Sequence, residues 1–125
     1  MSCRYRDLIA WQRAKALVGD VYRITESFPA TEAYGLTSQL RRAAISVVSN
    51  IAEGQGRLSL GEFIHFLGQA RGSLLELKPQ LEIAMDMKYV TASRLAELEL
   101  RTTEVQRLLN GLIASLRSRK AAANG

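Results

Sequence analysis

Cysteine, histidine and proline are nearly missing from this 125-residue chain. The one cysteine, Cys3, cannot form a disulfide within the chain and has no companions at metal-ligand spacing, so it reads as a reduced bystander thiol. The one histidine, His65, has no evident nucleophile or orienting acid, which excludes a hydrolase triad of the usual build. Two prolines and nine scattered glycines leave few turns and favour long helices. No stretch approaches the ~20 apolar residues of a membrane span. The first 23 residues are interrupted by charge throughout and contain no apolar leader segment. Together these absences predict a soluble cytoplasmic protein without a membrane partner. No segment alternates at period two for long enough to suggest a strand.

What is present is apolar and mildly basic. Hydrophobic residues make up 47%, enough to fold, and the length suits one domain with one core. The division is a bundle domain over 1–120 and a frayed tail over 121–125. Seventeen Lys and Arg against 12 acids give a net charge of +5, and most of them read as a mixed-charge solvated surface.

Four helices are predicted. The first spans about Leu8 to Ser27, capped by Asp7 and stopped by Pro29, with a seam of Trp11, Ala14, Val18, Val21 and Thr25. The second runs from Leu36 to about Ala52, and Gly54 or Gly56 ends it in the left-handed conformation. Ser59 and Glu62 form a capping box for the third, whose seam is Phe63, Leu67, Ala70, Leu74, Leu77, Leu81 and Ala84. The seam stays in phase past Pro79, so a kink is expected there and not a break. The fourth is capped by Thr91, carries Leu95, Leu98, Thr102, Val105, Leu109, Leu112 and Leu116, and fades near Arg119. Short links between amphipathic helices give an all-α, antiparallel up-down four-helix bundle.

The second helix is apolar around about 200° of its circumference, against the ~100° stripe a surface helix needs. Leu36, Leu40, Ala43, Ala44, Val47 and Ile51 make a core face, and Ile45, Val48 and Ala52 widen it. The surplus predicts a subunit interface of Arg41, Ile45, Val48 and Ala52, and so a homo-oligomer. Arg41, among small apolar residues, reads as an interface anchor awaiting a neighbour's carboxylate. Opposite lies a polar strip of Arg42, Ser46, Ser49, Asn50 and Glu53. It has two readings: a row that reads a ligand, or a hydroxyl and ion-pair network within the bundle and its solvated face.

Chemistry is hard to find. Glu62 and His65 have the Glu-x-x-His spacing of di-iron bundles, but such sites need a second pair and two more glutamates. Both residues also fall opposite the third-helix seam. Gly54-Gln55-Gly56 is too short for a phosphate-cradling loop. The expectation is no catalytic residue, no metal, no cofactor and no enzyme. For RNA or DNA, the candidate contacts are Arg4, Arg6 and Arg13 near the start and Arg117, Arg119 and Lys120 near the end. An up-down bundle puts both chain ends at one end of the molecule, where these groups would meet phosphates without reading sequence.

The run from Gly35 to Gly54, GLTSQLRRAAISVVSNIAEG, closely resembles the signature of the bacterial four-helix bundle proteins named after the 23S rRNA intervening sequence. The opening from Tyr5 to Ala14 is similar to that family's start. So are Arg57-x-Ser59-x-x-Glu62-Phe63 and Ala70-x-Gly72-Ser73-x-x-Glu76. The resemblance implies a cytoplasmic homopentamer with no established enzymatic activity. At +5 per chain, a pentamer carries +25, a field that attracts polyanions at low salt. A more distant likeness, to the accessory protein of diversity-generating retroelements, implies a basic pentameric barrel that engages nucleic acid. Lys78-Pro79 and Lys88 depart from the family pattern, the latter where glycine is common. These departures bear on the straightness of the third helix and on the turn after it.

Overall fold

A 3-10 turn, Tyr5–Asp7, precedes the first long helix in a computed structural model that describes residues 4–124. Cys3 and Gly125 lie outside the described residues. Helix α1 covers Ile9–Thr25. Asp7 does not cap it: its carboxylate accepts from the Arg4 backbone N–H at 3.3 Å and closes the 3-10 turn instead, leaving Leu8 at the cap position. After Pro29 comes a second 3-10 turn, Ala30–Glu32. Glu32 then accepts from the Leu36 N–H at 3.1 Å, satisfying a donor that the start of α2 leaves open.

Helix α2 covers Leu36–Gln55, one turn longer than the glycines suggest. Neither Gly54 nor Gly56 is left-handed. Gly54 stays helical and buried because α3 passes too close for a side chain. A Cβ there would meet Phe66 Cβ at 2.8 Å and Phe63 Cδ1 at 3.0 Å.

Helix α3 covers Leu60–Asp86 and α4 covers Ala92–Asn124. Ser59 Oγ accepts from the Glu62 N–H at 3.1 Å, and Thr91 Oγ1 from the Arg94 N–H at 3.2 Å, so both predicted N-caps form, while the Glu62 carboxylate does not reach back to close the predicted capping box. Helix α3 runs unbroken through Pro79, which is exposed, as is Leu75 one turn before it. The backbone bond lost at Pro79 therefore lies on the wet side of the helix. Helix α4 continues past Arg119. Its seam also departs from the strict heptad after Leu109: Ile113 is buried and Leu112 half-buried, the drift expected of a straight 3.6-residue helix.

The packed pairs are α1–α2, α2–α3, α3–α4 and α1–α4, and the diagonal pairs do not meet. This is a square four-helix bundle, all-α, with no strand among the described residues. Leu17, Val21, Leu40, Val47, Ile51, Leu67, Leu74, Leu77, Leu81, Val105, Leu109 and Leu116 are essentially sealed from solvent. Each contributes about 1.5–3 kcal/mol relative to an exposed side chain. In α1 the core stripe is Ala10, Ala14, Leu17, Val21 and Ile24. Trp11 and Val18, predicted in the seam, are only partly buried and rotate to its flank.

The turn from α3 to α4 closes with two reversed bonds: Tyr89 N–H to Ala84 C=O and Lys88 N–H to Met85 C=O, each 2.9 Å. This pattern requires a left-handed residue, and Lys88 supplies it at φ 65°. Tyr89 then packs on Phe28, with ring centroids 5.3 Å apart, and donates its hydroxyl to Glu32 at 2.9 Å. That hydrogen bond, then burial and then the carboxylate charge, raise the phenol above its ordinary pKa. The tie is therefore fully made below the usual tyrosine range and is lost as pH climbs through the raised value.

Candidate functional site

Helices α1 and α2 pack side by side, and the furrow between them is flanked by partly exposed apolar side chains. Its α2 wall is the predicted interface row. Val48 and Ala52 are half-buried, and Ile45 keeps 40% of its surface in water despite being isoleucine. Its α1 wall is Trp11, Val18 and Tyr22, with Tyr5 set edge-on against Trp11 at 5.0 Å. Two cations lie over aromatic rings here. The Arg41 guanidinium sits 4.4 Å from the Tyr22 centroid, and the Lys15 ammonium 5.4 Å from that of Trp11. Arg41 also donates from Nε to Thr25 Oγ1 at 2.9 Å, so its first partners are within its own chain. Thr25 is buried and donates a hydrogen bond from its hydroxyl to the Val21 carbonyl at 2.8 Å, which leaves its oxygen lone pairs free to accept from Arg41.

The polar strip of α2 divides. Ser46 faces α3 and shares a 2.8 Å hydrogen bond with Ser73, and Asn50 donates back to the Ser46 carbonyl at 2.9 Å and to its hydroxyl at 3.1 Å. Glu53 pairs with Arg57, one turn on. Arg42 and Ser49 are exposed. A shallow cleft of about 370 Å³ opens over this strip, lined by Gln39, Arg42, Ala43, Ser46, Ser73 and Glu76.

Between α1 and α4 the structure holds a feature absent from the sequence reading. Asp20 is only 5% exposed, and both Arg23 and Arg101 bond to its Oδ1. Its Oδ2 is buried without a partner. The hydrogen bond and charge of Asp20 raise the Arg101 guanidinium still further above its ordinary value. A cavity of about 210 Å³ beside it is lined by Asp20, Arg23, Arg94, Glu97, Leu98 and Arg101. The available signal was phase: Asp20 stands three residues after Leu17 and four before Ile24, on the edge of a buried stripe.

The six basic candidates differ in their local partners. The turn carrying Arg6 packs on α1 and α2 and makes no contact with α4. Arg6 lies over the Tyr5 ring and Arg13 pairs with Glu104 at 3.4 Å, while Arg4 anchors its own 3-10 turn. Arg117, Arg119 and Lys120 are exposed on the last turns of α4, with no ion pair among the described residues. Glu62 and His65 are both exposed on α3. Among the described residues no three His, Cys, Asp or Glu side chains come together to hold a metal, and no helix is long and apolar enough to cross a membrane.

A protein with unknown function from the S23 ribosomal protein family of Bacteroides thetaiotaomicron VPI-5482 has a similar solved structure. The TM-score is 0.78 at 20% identity, covering 85% of this chain and 96% of that one. At that identity the likeness concerns the fold. No match is found among curated proteins. The family model described as 23S rRNA-intervening sequence protein matches residues 6–111, which takes in α1, α2, α3 and more than half of α4. Four helices in square packing and a match over most of the chain lead to one conclusion: this protein belongs to the 23S rRNA-intervening sequence protein family.

Proposed function

We propose that this chain is a non-catalytic scaffold that assembles with copies of itself, in a ring of five. The observation that carries the reading is the furrow between α1 and α2. Ile45 and Tyr22 are exposed, and Trp11 and Val48, packed at the edge of the core, keep part of their apolar surface in water. Grouped apolar exposure of this kind on a small domain marks an interaction surface. The number five comes from the family resemblance and not from the groove. Changing Ile45→Asp together with Val48→Asp is expected to reduce the particle to a single chain in light scattering while circular dichroism stays helical. A native protein that already runs as a single chain overturns the reading.

A second reading rests on charge. Arg117, Arg119 and Lys120 stand together on exposed helix with no carboxylate paired to them, in a chain of net charge +5. Repeated around a ring, they form a basic fringe suited to the phosphates of RNA or DNA.

A further inference from the structure

A ring with an odd number of copies cannot use one patch against itself. Each copy must present two different faces, and the first must fit the second on its neighbour. The groove between α1 and α2 is one of these. We infer that the outward face of α3, centred on Leu75, Pro79 and Ile83, is the other, and that it seats in the groove of a second copy of this chain. The inference rests on the assembly proposed above and names the surface that completes it.

Leu75 and Ile83 are each 52% exposed, and exposed Pro79 lies midway between them. Spaced by four, the three residues make a ridge along the row of a helix surface that packs into grooves. Gly72 beside them has nothing within 4 Å of where a Cβ would sit, so a neighbouring element can approach closely.

Charge gives the pairing its direction. From Gly72 to Asp86 the exposed surface of α3 carries Glu82 and Asp86, with Glu76 at its edge toward α2 beside Arg42, and none of the three is in an ion pair within the chain. The one base in that stretch, Lys78, is exposed as well and borders a small cavity toward α4 together with Leu75, Glu99 and Thr102, so the stretch keeps a net negative charge. The groove carries the opposite sign, with Lys15 over Trp11 and Arg41 over Tyr22. An acidic, ridged helix thus meets a basic, aromatic groove. Placing two copies ridge to ridge would oppose carboxylates with carboxylates. Complementary potential suppresses such wrong pairings and fixes orientation.

The test uses two surface variants of the full chain and light scattering. Lys15→Glu with Ile45→Asp disables the groove, and Leu75→Asp with Ile83→Asp disables the ridge. Each alone is expected to run as one chain. Mixed in equal amounts, they are expected to form a particle of twice that mass and nothing larger, because only one sound ridge and one sound groove remain. If the ridge variant keeps the native assembly, the counter-face is wrong and the oligomer stands. If the mixture stays at single-chain mass, the ridge-to-groove pairing is wrong. If the unmodified protein is a single chain, the assembly itself is wrong. Should the ridge variant lose its helical circular dichroism, Glu76→Lys with Glu82→Lys replaces it, with the same outcomes.

Discussion

Gly54 shows how one residue type can be read for the wrong property. Glycine serves a chain either by adopting left-handed backbone or by lacking a Cβ, and the two uses look the same in a sequence. Near the end of an apolar helix the first use is the natural expectation. The structure employs the second, and the reason lies 9 to 12 residues away in Phe63 and Phe66 on the neighbouring helix. Gly54→Ala gains up to about 1 kcal/mol in helix propensity, but overpacking costs about 1–3 kcal/mol. The contact to Phe66 Cβ is too short for a rotamer change to relieve, so the cost wins. A fall in denaturation midpoint with an unchanged m-value is the expected result. Asp20 illustrates the same limit. Its burial depends on α4 arriving alongside α1, which no local pattern reports. Arg41, Ile45, Val48 and Ala52, in contrast, were legible as a group, because helical phase alone sets them on one side of α2.

Elements were legible where their ends are chemical and local. Ser59 and Thr91 cap their helices through a backbone N–H three residues on, and three residues are visible in any sequence. The ends of α2 and α4 were not, since packing and propensity carry each beyond its expected stop. The α3–α4 turn is the element most open to improvement. Lys88 occupies a left-handed position at φ 65°, where a residue with a Cβ costs about 1–2 kcal/mol. Both hydrogen bonds of the turn are made by backbone and survive any side-chain change. Lys88→Gly is therefore expected to stabilise the fold by up to about 1 kcal/mol, less than the full strain because glycine loses more entropy on folding. Lys88→Ala, which keeps the Cβ, should give no such gain. Thermal unfolding of the two variants side by side separates backbone strain from loss of the lysine charge.

At the scale of the whole molecule, charge and the proposed assembly are joined. A fringe of Arg117, Arg119 and Lys120 is weak on one chain and strong when repeated around a ring. If it holds phosphates, affinity for random RNA or DNA should fall steeply with salt, by about 0.9 logarithmic units per phosphate contacted for each tenfold rise in salt on duplex DNA. Arg117→Glu with Lys120→Glu should flatten that slope without changing particle mass. No binding at low salt in the unmodified assembly removes the nucleic-acid reading and leaves the scaffold untouched. The square packing also orders events in time. Three of the four packed pairs join neighbours in the chain, and only α1–α4 joins its ends. Synthesis runs from the N-terminus, so α4 follows the other three helices, and until it arrives the apolar faces of α1 and α3 lack the wall that it supplies. Asp20 lies on the side of α1 that α4 covers, so without α4 that side is open to water. Its burial comes with the final helix, when Arg101 arrives to meet it, so the chain acquires its most expensive interior group only once the partner for it has been synthesised.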